Sequence, residues 1–178
     1  MLMTQRRVMT SRMMPTIGKV RIDTERKLNE FNLALRNLRC EGKVAYGRNV
    51  KQIRLAVKFL KLKLKNHIYC EEKLLFPSIK KSIPKLEPTI QVLTIEHNEL
   101  VKHLKEIDLT CSKIGRDVSA IGNNRIIQYI YETGQVFIFL FKHHAHLEQQ
   151  RIYKSVEEEL KAPEKRRLIA QMSRGVRK

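Results

Sequence analysis

Four long stretches of the chain repeat apolar residues at alternating intervals of three and four, and this spacing limits the possible folds most strongly. In the second stretch the repeat consists of Ile53, Val57, Leu60 and Leu64. These intervals place apolar side chains on one face of a helix, which must then pack against other helices. The stretches cover about residues 20–39, 49–76, 88–111 and 124–160. The sequence therefore predicts an all-α domain, an antiparallel up-down-up-down four-helix bundle.

The segments outside these stretches set the expected domain limits. We expect the bundle to span residues 17–160 and a basic C-terminal tail at 161–178 to fray. Residues 1–16 are expected to be a disordered basic tail or the product of a start codon assigned too early, with a weak mitochondrial-type presequence as the alternative. Pro77 is expected to end or kink the second helix, because proline lacks a backbone N–H.

Composition bears on partners and on the cellular compartment. Thirty-six Lys and Arg face eighteen Asp and Glu, which gives a net charge of +18. Such a charge indicates either an anionic partner, such as nucleic acid, a membrane face or an acidic protein, or only a solvated basic surface. Three cysteines without a C-x-x-C pair argue against a disulfide framework and favour the reducing cytoplasm. No apolar run approaches the roughly 18 residues that a membrane span needs.

Two His-x-x-x-Glu units interrupt the apolar faces of the second and fourth predicted helices. His67 and Glu71 form the first unit, His144 and Glu148 form the second, and His97 lies in the apolar repeat of the third helix. Residues four apart share a helix face, so these side chains are expected to point into the bundle. A buried carboxylate is costly unless it is paired or bound to metal. We therefore predict a metal site of these five residues, for iron, manganese or zinc.

The other polar candidates fit this pattern less well. His103 lies off the apolar face of the third helix, and neither His143 nor His146 has an acidic residue four positions on. His103 is expected to face away from the site, and His143 and His146 are expected at the surface, with a supporting role at the site as the alternative for His143. Glu72 would become a ligand in place of its neighbour if the second helix were rotated.

The order of these elements resembles the hemerythrin-like HHE cation-binding family over about residues 20–158. The resemblance rests on His67-x-x-x-Glu71-Glu72-x-x-Leu75-Phe76-Pro77, on Glu96-His97-x-x-Leu100 and on His144-x-x-x-Glu148. It implies a four-helix bundle around a non-haem di-iron centre, in which the two glutamates of the His-x-x-x-Glu units bridge the metals and the three histidines are terminal ligands. It also implies oxygen binding, sensing of oxygen, nitric oxide or redox state, or repair of iron–sulfur centres.

The first predicted helix departs from the family pattern because it contains no histidine. Glu25 stands in that place by its distance to the second helix, and Asn32 by the local apolar pattern. A carboxylate there would still bind metal, whereas an amide is a poor ligand. The site is therefore expected to hold two ions with a weak first-helix ligand, to hold one ion, or to be degenerate. Strict oxygen carriage is disfavoured, because Val101 rather than a histidine follows His97 at the fourth position.

The second predicted helix also contains a row of basic residues at intervals of three and four. The row comprises Lys51, Arg54, Lys58, Lys61 and Lys65. It is interpreted either as a solvated face or as a docking surface for an acidic helix, a nucleic acid or an anionic membrane. No signature of base-specific recognition accompanies it.

Two classes of function follow from these patterns. The favoured class is an iron-dependent binder or sensor of oxygen, nitric oxide or redox state, whose basic row reports the state of the centre to a partner. The alternative is a metal-independent regulatory protein that docks an acidic partner or nucleic acid, and the second helix faintly resembles the regulator-of-sigma-D anti-sigma proteins. An enzyme is less favoured, because no substrate pocket is recognisable in the sequence.

Overall fold

The computed structural model describes the backbone of residues 15–41, 43–114 and 120–175, and the side chains of residues 23–41, 44–114 and 122–170. Every regular element within these residues is helical. In chain order the helices are α1 (Pro15–Cys40), α2 (Tyr46–Cys70), α3 (Phe76–Ser82), α4 (Glu87–Cys111), α5 (Ala120–Leu147), α6 (Lys154–Glu159) and α7 (Ala162–Gly175). Apart from its last two positions, the predicted N-terminal tail at 1–16 lies outside the described residues.

The four long helices, α1, α2, α4 and α5, pack around one interior. α1 lies against α2 and α5, and α4 lies against the same two helices. Fully buried side chains from all four fill the space between them, including Phe31, Leu35, Ile53, Leu60, Leu104 and Phe137. The prediction of an all-helical bundle is confirmed, while the up-down-up-down order stays a prediction.

Gly134 lies where α5 comes close to α1. A Cβ atom at this position would overlap Cδ1 of Leu35 and would lie 3.0 Å from its Cδ2. Leu35 is fully buried, so it has little room to move away. The absence of a side chain therefore makes room for Leu35 and explains a residue that is otherwise unfavourable inside a helix.

Two π-helical segments interrupt the helices, and each begins at the glutamate of a His-x-x-x-Glu unit. They span Glu71–Leu75 after α2 and Glu148–Tyr153 after α5. In the first, the N–H of Phe76 donates to the carbonyl of Glu71, five residues back. The chain then continues as α3, so Pro77 does not end the helical run. Pro77 instead lies in the first turn of α3, where its missing N–H is tolerated.

The basic segment at 161–178 forms a helix over most of its length rather than a fraying tail. α7 packs against the π-helical segment Glu71–Leu75, and Leu168 is only 3% exposed. The N–H of Lys161 donates to Glu164 Oε2 at 2.9 Å, as in a capping box, and this bond stabilises the first turn. The difference from the expectation arises because one buried leucine anchors a segment whose composition is otherwise basic.

The interior is apolar at two levels with a polar layer between them. One apolar cluster includes Leu64 and Leu100, and the other includes Leu75 and Leu93. The histidines and glutamates of the predicted metal site lie between these clusters in sequence on α2 and α4. No helix among the described residues has the length and apolar character that crossing a membrane requires.

Candidate metal centre

Five polar side chains meet in the layer between the two apolar clusters. They come from the end of α2, from α4, from the end of α5 and from the first position of each π-helical segment. They are His67, Glu71, His97, His144 and Glu148. One ligand-type atom of each residue lies within 4.8 Å of those of the other four. The structure thus brings together all five residues that the sequence predicts for the metal site, and we call them the five-residue cluster.

The three imidazoles of the cluster surround the two carboxylates. Glu148 Oε1 is 2.8 Å from His144 Nε2 and 2.9 Å from His67 Nε2. Glu71 Oε2 is 3.6 Å from His67 Nε2 and 3.5 Å from His97 Nε2. Since every imidazole turns Nε2 towards a carboxylate oxygen, nitrogen and oxygen ligands converge on one small region.

Burial and mutual charge set the ionisation of the cluster. Burial lowers the pKa of His67, but the carboxylates of Glu71 and Glu148 outweigh it and raise this pKa to about 10. Burial and the charge of Glu148 together raise the pKa of Glu71. For Glu148 burial acts in the same direction, yet the charge of His67 and the closeness of His144 hold the pKa well below its usual range. A proton on His67 thus offsets the buried negative charge, and a bound cation would do the same.

Two further glutamates contact the outer nitrogens of two of the three cluster imidazoles. Glu72 Oε1 is 2.8 Å from His97 Nδ1, and Glu96 Oε2 is 3.0 Å from His144 Nδ1. The other oxygen of Glu96 lies 2.7 Å from His143 Nδ1. A carboxylate that accepts from Nδ1 fixes the ring, leaves Nε2 free for a metal and makes it more basic. This is the arrangement that metal-binding histidines usually have.

Tyr153 reaches the cluster from the second π-helical segment. Its hydroxyl donates to Glu71 Oε1 at 2.8 Å. Burial, together with the nearby carboxylates, raises the pKa of Tyr153 well above its usual value, so the phenol remains a donor. The bond engages one oxygen of Glu71 and leaves Oε2 facing the imidazoles.

Three buried atoms that face the middle of the cluster have no hydrogen-bond partner among the described residues. They are Glu71 Oε2, His97 Nε2 and Glu148 Oε1, the last of which is in ion-pair contact with Nε2 of His67 and of His144. Leaving such an atom unsatisfied costs about 1–3 kcal/mol. Because iron, manganese and zinc all accept imidazole nitrogen and carboxylate oxygen, the residues present fit a metal ion.

The family comparison covers the helices that form this cluster. The model of the family described as the hemerythrin HHE cation binding domain matches residues 24–156. The chain belongs to the hemerythrin HHE family. No curated protein and no solved structure matches the chain. The matched range contains the whole five-residue cluster and ends before α7, which packs against the hemerythrin HHE domain from outside that range.

In this hemerythrin HHE chain, the described part of α1 adds no residue to the cluster. Glu25 is exposed, and Asn32 Oδ1 accepts a hydrogen bond from Gln135 Nε2 at 2.9 Å. The buried face of α1 is instead formed by apolar residues that include Leu28 and Phe31. The two candidates that the sequence offers for the missing first-helix histidine therefore lie elsewhere.

The structure divides the basic row of α2 into two sets. Arg54 and Lys61 face α4, where they pair with Asp108 at 3.5 Å and 2.7 Å. The remaining three lysines are exposed and form no ion pair within the described part of the chain, and they are Lys51, Lys58 and Lys65. The charges that remain available to a partner are therefore those of the three lysines that do not pair with α4.

The supporting roles of Glu96 and Tyr153 were not predicted from the sequence. Glu96 directly precedes His97 and lies at the edge of the apolar face. An acidic residue at that position was the sequence signal for its supporting role. Tyr153 could be recognised only as the counterpart of Phe76 when the two His-x-x-x-Glu units are superposed. Neither signal identifies the atom contacted, because both contacts join residues that are far apart in the chain.

The remaining candidates take outer positions. His143 has the supporting role that was its alternative interpretation, since it contacts Glu96. Glu72 supports an imidazole instead of joining the five-residue cluster. His103 is half-buried with Nδ1 3.5 Å from Glu106, and His146 is exposed. Neither of these two histidines is part of the cluster.

Proposed function

We propose that this protein binds non-haem iron in the five-residue cluster and acts in the binding or sensing of oxygen, nitric oxide or redox state. The set of inward, unpartnered atoms on Glu71, His97 and Glu148 carries this proposal. Manganese and zinc share these ligand preferences and are the alternative metals. Membership of the family implies a di-iron centre, from which this chain departs by lacking a first-helix histidine.

We also propose that the four long helices follow the up-down-up-down order. Each packs directly against the next long helix in the chain, as expected when short connections reverse the chain direction. For the compartment we propose the cytoplasm. Its reducing conditions suit the three free cysteines, Cys40, Cys70 and Cys111.

The position of His67 indicates which kind of molecule reaches the centre. Its side chain is 31% exposed, whereas those of the other four cluster residues are at most 8% exposed. The cluster therefore meets solvent chiefly beside His67, and the two apolar clusters border it on either side. A bound iron ion would supply a reversible change of oxidation state and an open coordination position. This setting suits a diatomic ligand or an electron transfer better than an organic substrate.

The position of the cluster allows a change in metal ligation to alter how the helices pack. His67, His97 and His144 belong to α2, α4 and α5, so any change in their ligation acts on three packed helices at once. α2 also contains the exposed lysines, which gives it a route to the surface. We propose that α2 transmits the state of the centre to a partner.

We expect full-length protein, expressed with added iron and purified without oxygen, to contain iron in excess of zinc and manganese. Plasma mass spectrometry measures the metal content. The visible absorption of the iron form is expected to change on adding nitric oxide or oxygen. The same protein loaded with zinc is the control, because zinc has no redox chemistry and should give no such change. Zinc alone in the purified protein, or an iron form that responds to neither gas, contradicts the proposal.

The outer face of α2 favours a partner-binding role for this protein. Leu55, Leu62 and Tyr69 recur at intervals of seven and are 58%, 60% and 49% exposed. Lys58 and Lys65 lie between them, at alternating intervals of three and four. Alternation of this kind forms the contact line between two helices of a coiled coil. We propose that this face binds an amphipathic helix with acidic residues opposite the lysines.

An acidic helix fits this face better than a nucleic acid or a membrane. Phosphate binding needs cations, whereas three of the five side chains along this line are large and apolar. Membrane insertion needs a broad apolar face, whereas this line is interrupted by a lysine at every second position. Asp108 further reduces the positive charge by pairing with Arg54 and Lys61. Alternate apolar and basic contacts match a helix of alternate apolar and acidic residues.

The variant Lys58→Glu/Lys65→Glu is expected to weaken binding of a synthetic helix, with Leu and Glu at complementary positions, by at least about tenfold, because like charges then face each other. Fluorescence anisotropy at two salt concentrations measures this. Lys81→Glu/Lys105→Glu makes the same charge change at exposed positions elsewhere and should bind normally. Equal loss in both variants, equal binding of a scrambled peptide, or binding only of duplex DNA or anionic vesicles would show that the face does not recognise a helix.

A further inference from the structure

We infer that this protein holds one metal ion tightly, bound by three imidazole nitrogens and by one oxygen from each of Glu71 and Glu148. Among the residues that the structure describes, a second ion has no comparable set of protein ligands. This inference rests on the proposed metal binding and concerns how many ions the five-residue cluster holds. The size of the cluster, the hydrogen bond from Tyr153, the outer glutamates and the composition of α1 all support it.

The cluster has the size of a site for one ion. Its five ligand-type atoms all lie within 4.8 Å of one another. Two ligands on opposite sides of one ion, each about 2.0–2.2 Å from it, are about 4.0–4.4 Å apart. Two ions about 3.5–4 Å apart would spread their outermost ligands over about 8 Å. The observed spread is close to the first value and far below the second.

The hydrogen bond from Tyr153 engages one of the two carboxylate oxygens of Glu71 and leaves the other without a hydrogen bond. A carboxylate bridges two ions most effectively when each oxygen binds one of them, but Glu71 Oε1 already accepts a hydrogen bond from the Tyr153 hydroxyl at 2.8 Å, which makes it a weaker ligand for a second ion. The phenol is buried, so releasing it would leave a buried donor unsatisfied at a cost of about 1–3 kcal/mol. Glu71 Oε2, which is unpartnered and faces His67 and His97, is therefore the favoured ligand oxygen of this residue.

The carboxylates next to the cluster are already engaged with imidazoles. Glu72 lies against His97 Nδ1, and the two oxygens of Glu96 lie against Nδ1 of His143 and His144. A second ion that took either glutamate as a ligand would remove the support of a histidine that holds the first ion. These glutamates therefore strengthen the first ion's ligands and are not free for a second.

The described part of α1 gives a second ion no ligand from the remaining long helix. None of its carboxylates belongs to the cluster, and Asn32 is hydrogen-bonded to Gln135. The buried residues of α1 are apolar apart from Thr24, which is not part of the cluster either. Ligands therefore come from α2, α4, α5 and their extensions, which lie around a single point.

The test uses the full chain, stripped of metal and reloaded with Fe²⁺ without oxygen, or with Mn²⁺ as a second probe. After gel filtration we expect one Fe²⁺ per chain by plasma mass spectrometry. The paramagnetic resonance spectrum of the Mn²⁺ form should be that of isolated ions. His97→Ala removes a ligand of that single ion, so the content should fall from one towards zero, and His97→Gln repeats the test with less loss of packing. His103→Ala, outside the cluster, should retain one ion.

Each other outcome overturns the inference. Two retained ions per chain with a spin-coupled Mn²⁺ spectrum would mean that a second tight site exists, and the proposed iron function would stand. A histidine variant that keeps one of two ions would give the same conclusion. No retained Fe²⁺ or Mn²⁺ in the unmodified chain would overturn both the inference and the proposed function. The two failures are therefore distinguishable by metal content alone.

Discussion

His67→Ala/His144→Ala is expected to abolish metal retention. The double change removes two of the three inward nitrogens and leaves His97 with two carboxylates, Glu71 and Glu148. Losing only an outer partner of a metal ligand costs about 10- to 100-fold in affinity, so losing two direct ligands should cost considerably more. Plasma mass spectrometry after gel filtration should then find metal in the unmodified protein and essentially none in the variant.

The matched control is His103→Ala/His146→Ala, which removes the same number of histidines outside the cluster. This control should retain metal like the unmodified protein. Circular dichroism should show that both variants remain helical, and His67→Gln/His144→Gln offers a replacement of more similar size. Metal retained by the cluster variant, or lost equally from the control, would mean that the ion binds elsewhere.

The same double change also alters the stability of the metal-free protein. The pKa of His67 is raised from 6.5 to about 10 in the folded state. Its charge therefore contributes stability that is complete below pH 6.5 and is lost as the pH rises through about 10. Urea denaturation of the metal-free protein should show this decline, and the variant should lack the part due to His67. Without that charge, Glu71 and Glu148 remain buried together and uncompensated.

Phe137→Ala is expected to lower the free energy of unfolding by about 3–5 kcal/mol, as large-to-small changes of buried aromatic residues do. Phe137 is fully buried in the apolar cluster below the metal site. Its ring meets that of Phe31 edge to face, with 6.1 Å between the centroids, and such a pair adds about 0.5–1.5 kcal/mol beyond burial. The change should leave a cavity between α1 and α5, and urea denaturation of the metal-free protein measures its cost.

Phe139→Ala is the matched control, two residues further along α5. Phe139 is 72% exposed, so its removal should change stability by no more than about 0.5 kcal/mol. A cost for Phe137→Ala below about 1 kcal/mol would mean that neighbouring side chains collapse into the space. If both variants lowered the free energy of unfolding equally, the buried and exposed faces of α5 would not differ in their contribution to stability.

Much of the fold was predictable because helical periodicity is a local property. The intervals of three and four in the second stretch fix which side chains share a face, whatever the rest of the chain does. Sparse glycine and proline then leave the helices long. The effect of Pro77 was not predictable in this way. The helical run continues past Pro77 because a π-helical segment precedes it and places it in the first turn of α3. The helix α7 in the basic segment after residue 160 was not predicted for a similar reason, since the burial of Leu168 is not visible in local composition.

The five-residue cluster was also predictable from sequence. Two His-x-x-x-Glu units and His97 occupy positions that a plain apolar repeat would fill with leucine or isoleucine. Burial makes such residues costly, and a shared partner is the simplest compensation. The family resemblance supplied the same residues in the same order. Neither argument, however, could state which oxygen or nitrogen points inward.

The sequence by itself determined the helices, the inward faces and the identity of the five residues that meet, because each depends on spacing within one helix. Only the tertiary structure decided that Tyr153 engages Glu71, that Glu96 supports two imidazoles and that Asp108 pairs with part of the basic row. These contacts join residues from 47 to 82 positions apart. Periodicity specifies the face on which a side chain lies, whereas the rotation and register of packed helices specify which atom it meets.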